Sequence, residues 1–356
     1  MIHCNVTMIT HMMTTDTKDL KIIFVTGASR SGTTLMNHVL GNHTAVLALH
    51  ETHYFGEACN PSSRGTPFQG PQLERAAAML YGHLERGIFS GPPTVSDIDK
   101  AKAFISSLPA GPHTGEELYA GIVGGFVAAS GRQIACEQTP RNIFYARQLL
   151  DTYPNAYVVH MLRDPRAVMA SQKKRWQRRK LARFKVPLYQ TIRVWINYHP
   201  FTTANLWRRA TQAAHGLREH PRFHTVRFES LLESPEQTVR QMCEAIGLDF
   251  QPAMLDVAQI NSSHQTSVGG ARRGIYKDAM DTWRSVLSPS ELAVTEKIAG
   301  PAMIQVGYPL ATDGKAPFAS FLPHLVSYGF HALGVMLVNP KRAIVQLKAL
   351  LNRGGR

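Results

Sequence analysis

Cysteine is scarce in this chain of 356 residues: Cys4, Cys59, Cys136 and Cys243 are the only four. They are scattered without the paired spacing of a zinc site or a disulfide framework, so neither a metal centre nor an oxidised scaffold is expected. Acidic residues are also short, 25 against 39 lysines and arginines, which leaves a formal net charge of +14. Residues 1–20 hold no apolar stretch long enough for a signal peptide or an anchor. They read as a disordered extension, and a cytoplasmic, reducing location is expected. No internal repeat and no low-complexity linker divides the remainder of the chain, so one large α/β domain is expected over 21–310, with a distinct tail over 311–356. At 44% hydrophobic and 18% charged residues, the chain has ample material for a core.

The stretch Ile22 to Leu35, IIFVTGASRSGTTL, is the most informative one present. A β-branched strand runs into a Gly-bearing turn and straight into a helix, so backbone N–H groups and the positive helix end converge on an anion. Gly32 leaves that approach free of a Cβ. A nucleoside-triphosphate loop places Lys and then Ser/Thr directly after its second Gly; Thr33 and Thr34 stand there, and the cation, Arg30, comes before Gly32. A kinase or NTPase reading is thereby disfavoured, and with no Asp-rich cluster no magnesium site is expected.

A second strand, Tyr157 to Leu162, ends at Arg163, where Asp164 caps and Pro165 opens a helix running through Ser171. Arg163 and Ser171 can supply charge and direction to one anion. Phe223 to Leu231 reads as a further strand, with a helix opening at Glu233-Ser234-Pro235.

The loop Arg30-Ser31-Gly32-Thr33-Thr34 resembles the 5′-phosphosulfate loop of sulfotransferases that use PAPS (3′-phosphoadenosine 5′-phosphosulfate). The Arg163…Ser171 pattern resembles the segment with which that family holds the 3′-phosphate. The aromatic-Glu-x-Leu turn at Phe228, and the basic loop with Arg272 and Arg273 ahead of Trp283, resemble its later segments. The resemblance, carried at a few points between Lys21 and Leu310, implies a P-loop-like three-layer sandwich with a central, mostly parallel sheet flanked by helices. It implies Ser31, Gly32, Thr33, Thr34, Arg163, Ser171, Arg272 and Arg273 as cofactor contacts, and Arg30 as both a contact and the group that neutralises the departing phosphate oxygen.

Glu51-Thr52, just beyond the apolar run Ala45 to Leu49, resembles the Glu-Thr pair that supplies the base in tyrosylprotein sulfotransferases; His50 and His53 are its rivals. Cys136-Glu137-Gln138-Thr139-Pro140 departs from the family, which has Lys where Gln138 stands. That change keeps open a scaffold that binds nucleotide without transferring anything. The acceptor is not legible, and a small molecule, a glycan, a lipid or a tyrosyl group all fit.

Basic residues from Lys173 to Lys185 suit either electrostatic steering of an anionic donor or acidic acceptor, or a solvated helix face, and no nucleic-acid-binding module accompanies them. From Ala316 to Pro340 there is no Asp, Glu, Lys or Arg, while Pro323, His324, Gly329 and His331 argue against a spanning helix. A basic amphipathic segment comes after Pro340. Such a tail suits an anionic membrane surface, the domain itself, or a partner subunit in a homodimer.

Overall fold

The computed structural model describes residues 16–60, 65–88, 91–174, 196, 198–257, 273–275, 282–312 and 321–338. Most of the expected N-terminal extension, Arg272, the basic cluster from Arg175 to Lys185 and the segment after Val338 lie outside the described residues. In chain order the elements are β1 (Ile22–Gly27), α1 (Thr33–Gly41), β2 (Val46–Ala48), α2 (Tyr54–Glu57), α3 (Gln72–Arg86), α4 (Val95–Ser107), α5 (Gly115–Ala129) and β3 (Ile134–Glu137). A 3-10 turn over Pro140–Tyr145 leads to α6 (Ala146–Thr152), β4 (Ala156–Leu162), α7 (Pro165–Lys173), α8 (Pro200–His215) and β5 (Phe223–Arg227). The chain continues through α9 (Phe228–Glu233), α10 (Pro235–Ile246), α11 (Trp283–Val286), α12 (Pro289–Gln305) and α13 (Leu322–Val338).

The chain divides into two compact units, one of residues 1–163, 210–260 and 271–277, the other of 164–209, 261–270 and 278–356. The first carries the sheet, five parallel strands in the order β2-β3-β1-β4-β5. Every residue of β1 is buried, as expected of an unbroken apolar strand covered on both faces. The chain leaves β1 toward β2 and β3 on one side and then crosses to β4 and β5 on the other. The order therefore reverses at β1, and the crevice beyond the carboxyl ends of its strands is where such sheets bind ligands.

Below that edge, Phe24, Phe55, Tyr119 and Tyr153 pack with ring centroids 4.8 to 6.4 Å apart. The buried Tyr54 and Tyr153 hydroxyls donate to the carbonyls of Gly115 (2.7 Å) and Glu116 (3.0 Å) at the start of α5, so the polar ends of these two rings are satisfied inside the core. Helices α4 and α5 open with reciprocal Thr–acid capping boxes, Thr94 with Asp97 and Thr114 with Glu117.

The strand expected over Phe223 to Leu231 stops at Arg227, and Phe228 begins α9. The reason is periodicity. Phe228, Leu231 and Leu232 are buried while Glu229 and Ser230 are not, an i, i+3, i+4 pattern that suits a helix and not the alternation of a strand.

In the second unit Asp164 caps α7 as expected, accepting from the backbone N–H of Arg166 at 2.8 Å. Arg166 is buried. Its guanidinium pairs with Asp164 (2.6 Å) and Glu296 (3.1 Å) and lies 4.4 Å from the Trp283 ring centroid, tying α7 to α11 and α12.

Candidate active site

Five segments of the first unit end at the same edge of the sheet: the cradle after β1, Glu51 beyond β2, Gln138 directly after β3, Arg163 directly after β4, and Phe228 directly after β5. The cradle is held by backbone geometry. Gly27 has φ +147, and a Cβ there would sit 2.5 Å from the carbonyl oxygen of Met161 on the neighbouring strand. Gly32 has φ +94, and a Cβ there would stand 2.6 Å from Cε2 of Phe228. Gly32 is thus demanded by its backbone angle and by the Phe228 ring, a finer reason than the free ligand approach expected from sequence. Arg30 also has positive φ, 78°, a conformation a non-Gly residue seldom adopts without functional or structural cause.

Arg163 is buried and reaches back to this loop. Its Nη1 donates to the carbonyl of Arg30 at 3.0 Å, and its guanidinium lies 4.2 Å from the Phe228 ring centroid. The guanidinium is therefore fixed beside the cradle by a hydrogen bond and a ring face. Thr33 opens α1 and is buried, and Thr34 Oγ1 donates to Gln138 Oε1 at 3.3 Å. The residue standing in place of the family Lys therefore touches the first turn of α1. The Ser31 hydroxyl is buried and has no hydrogen-bond partner among the described residues. An orphaned hydroxyl inside an anion cradle is what a phosphate or sulfate oxygen would satisfy.

Glu51 and His53 are joined, Oε1 to Nε2, at 2.9 Å, whereas His50 is exposed and outside this pair. The choice between carboxylate and imidazole posed by the sequence therefore becomes a pair. His53 adopts φ +51, and its backbone N–H donates to Thr139 Oγ1 at 3.3 Å. The Thr52 carbonyl accepts from His83 Nδ1 at 2.6 Å, which requires the proton on that nitrogen because a carbonyl cannot donate.

Underneath lies Glu137, a fully buried carboxylate that sequence reasoning does not single out. It accepts from the Thr52 N–H (3.1 Å), the Thr52 hydroxyl (2.9 Å), Asn142 Nδ2 (2.9 Å) and the Thr139 hydroxyl. Burial pushes this carboxyl above the usual carboxylate range, against the hydrogen bonds that hold it down; the nearby Glu51 charge adds to the rise. An acid at the buried end of a strand is the only sequence signal for it.

Two more of the expected contacts lie among the described residues. Ser171 is buried on α7, in the second unit. Arg273 forks onto Asp256, Nε to Oδ1 at 2.6 Å and Nη2 to Oδ2 at 2.8 Å, and donates to the Asp256 carbonyl at 2.9 Å. Lys173, at the head of the basic cluster, is paired with Glu291 at 2.6 Å.

The sequence model of the sulfotransferase family matches residues 23–252, from β1 to beyond α10. The chain belongs to that family. Among its relatives, the nodulation protein NoeE of Sinorhizobium fredii (strain NBRC 101917 / NGR234) is 26% identical over 314 residues, covering 83% of this chain and 68% of that protein. Carbohydrate sulfotransferase 5 of Mus musculus is 27% identical over 175 residues, 45% of this chain and 43% of its own length. This sulfotransferase thus spans less than half of that carbohydrate enzyme. Among solved structures, the sulfotransferase domain from the curacin biosynthetic pathway aligns over 82% of this chain and 99% of its own, with a TM-score of 0.47 and 18% identity.

Proposed function

We propose that this sulfotransferase moves a sulfuryl group from PAPS to an acceptor hydroxyl or amine by in-line transfer. The observation that carries the reading is the gathering of the cradle, Arg30, Gln138, Arg163 and the Glu51–His53 pair at one carboxyl edge, with a buried, unsatisfied Ser31 hydroxyl in the cradle. Those residues suit an anionic nucleotide: backbone amides at Gly32, Thr33 and Thr34, a helix N-terminus and a fixed guanidinium all favour phosphate oxygens. When bound, PAPS supplies a sulfuryl group activated by its phosphate leaving group.

The chain's own part is positioning and charge. The cradle amides and Ser31 orient the 5′ end, and Arg30 neutralises the oxygen on which charge develops. Arg163, with Ser171 as the motif implies, recognises the 3′-phosphate. With Gln138 Oε1 accepting from Thr34, its amide N–H groups remain as neutral donors where the family has a cation, so more of the charge stabilisation rests on Arg30. Glu51, hydrogen-bonded to His53, takes the acceptor proton. The names of the carbohydrate sulfotransferases among the relatives support placing a glycan hydroxyl first among acceptors, ahead of small-molecule, lipid and tyrosyl groups.

Titration calorimetry with adenosine 3′,5′-bisphosphate and with adenosine 5′-monophosphate tests the donor assignment. The bisphosphate should bind tighter by on the order of 10²-fold, the worth of the charge-assisted bonds lost with the 3′-phosphate. Arg163→Ala should collapse that ratio, a readout that general loosening of the cradle would not mimic. Equal binding of the two nucleotides sinks the donor assignment. Radiolabelled PAPS offered with glycans, peptides, lipids and phenols then reads the acceptor, and tight bisphosphate binding with no transfer to any of them would make the protein a scaffold.

A further inference from the structure

Helix α13 is docked inside out. Its residues Leu322, Leu325, Val326, Phe330 and Leu333 are 50%, 51%, 60%, 75% and 58% exposed. At about 100° per residue, these positions together with Gly329 fall within an arc of about 140° on one side of the helix. The opposite side carries His324, Ser327 and His331, each within hydrogen-bond distance of another segment of the protein. His324 Nε2 lies 3.0 Å from Ser290 Oγ at the start of α12, and Ser327 Oγ lies 3.2 Å from Nε2 of His199 just before α8. His331 Nε2 lies 3.4 Å from Thr202 Oγ1 on α8, and its ring packs 4.8 Å from that of His199. A surface helix of a water-soluble protein turns its apolar stripe to the core and its polar stripe outward. Here the polar stripe is bonded to the protein, and among the described residues nothing covers the apolar stripe, the mark of a face made for a partner.

Charge decides which partner. After Asp313 the sequence contains no acidic residue, while Lys315, Lys341, Arg342, Lys348, Arg353 and Arg356 add six cations. A second copy packed on this face would bring two such acid-free stretches together, like charge against like. Anionic lipid headgroups complement them, at roughly 1 kcal/mol per cation held near the surface. No helix among the described residues is long and apolar enough to span a bilayer. A helix lying in the interface plane is the arrangement that uses one apolar face and leaves the other face docked.

We propose that the outward face of α13, assisted by the cations that come after Pro340, seats this enzyme on an anionic membrane surface. The test is co-sedimentation of the full chain with vesicles of phosphatidylcholine alone and of phosphatidylcholine mixed with phosphatidylglycerol, with light scattering on the protein alone. The chain should partition onto the anionic vesicles far more than onto the neutral ones, and added salt should release it. Leu325→Ser with Phe330→Ser changes only exposed side chains, so the circular dichroism spectrum should be kept while the partition coefficient falls by about ten-fold or more. Lys341→Glu with Arg342→Glu should abolish the preference for the anionic vesicles while leaving weak binding to both. No partition at low salt, or equal partition of the double serine variant and the parent, overturns the proposal. A dimer that the double serine variant splits, with no vesicle binding, also overturns it and assigns the face to a second copy.

Discussion

Glu51 and His53 stand two residues apart, yet they meet only because His53 turns into the left-handed region and Thr139 holds its N–H there. Groups joined in this way act as one unit, and their losses do not add. Glu51→Gln should lower kcat by about 10² to 10⁴ with donor affinity unchanged, the usual worth of a positioned base. His53→Ala should fall in the same range, and the double variant little below either single one; His50→Ala, on an exposed residue outside the pair, should be close to the parent. Full additivity in single-turnover rates would show that the two groups act independently and not as a pair. Beneath them, Glu137 makes a second prediction. Its carboxyl is pushed above the ordinary range, so the fold favours the protonated form. That contribution is complete at pH values below the unfolded pKa and is lost as pH rises through the elevated one. Denaturant midpoints should therefore decline as pH rises above the ordinary carboxylate range, and Glu137→Gln should remove that decline. The same variant turns an amide donor toward Asn142 Nδ2, costing about 1 to 3 kcal/mol at the lower pH and loosening the Thr52–His53 turn, with a fall in kcat. An unchanged pH slope in the variant would show that Glu137 is ionised throughout.

Helices α3 and α4 are clasped by a single acid. Asp97 closes the capping box of α4 with Thr94 and takes the Arg86 fork from the end of α3, with Nη1 to Oδ1 at 2.8 Å. Burial alone would raise its pKa, but the Arg86 fork and the Thr94 N–H and hydroxyl override that and hold it at about 2. The sign is the reverse of that for Glu137. Its contribution is complete above the unfolded carboxylate value near ~3.9 and disappears as pH falls toward 2. Asp97→Asn should cost about 2 to 4 kcal/mol at neutral pH by breaking both the fork and the box, and should flatten the acid limb of the stability curve. A loss below ~0.5 kcal/mol, the level of an exposed pair, would mean that water replaces the clasp. This clasp joins two separate helices, and separation of that kind decides how much of the fold is legible in the chain. The cradle is legible because strand, turn and helix are contiguous from Ile22 to Leu35, and Asp164 because a cap acts within its own turn. Glu137 is not, since its partner Thr52 lies 85 residues away and only the β2–β3 pairing brings the two together. The end of β5 is misplaced by sequence because Phe228 has strong strand propensity, and the deciding burial of Leu231 and Leu232 on one helical face is a tertiary fact. The inward histidines of α13 read in the sequence only as residues that weaken a spanning helix; their seats on Ser290, His199 and Thr202 come from separate segments.

The excess of cations over acids acts on the molecule as a whole. A formal net charge of +14 gives a positive field that reaches beyond any one contact, and the proposed donor is a small polyanion. Encounter with it is thereby accelerated at low ionic strength, and salt removes that acceleration as the screening length shrinks from about 30 Å at 0.01 M to about 8 Å at 0.15 M. Charge at the reacting centre is different. The guanidiniums of Arg30 and Arg163, as proposed donor contacts, would act at contact distance, with Arg163 buried, where screening is weak. The two effects predict different salt responses in one experiment. With a neutral acceptor held saturating, kcat/KM for the donor should fall by about ten-fold or more across that salt range, while kcat changes by less than about two-fold. Viscosity then separates encounter from chemistry, since only a diffusion-controlled kcat/KM slows in proportion as the solvent thickens. If kcat falls with salt as steeply as kcat/KM, the cations serve the chemical step itself. Steering by the whole molecule would then give way to a mobile cation at the site.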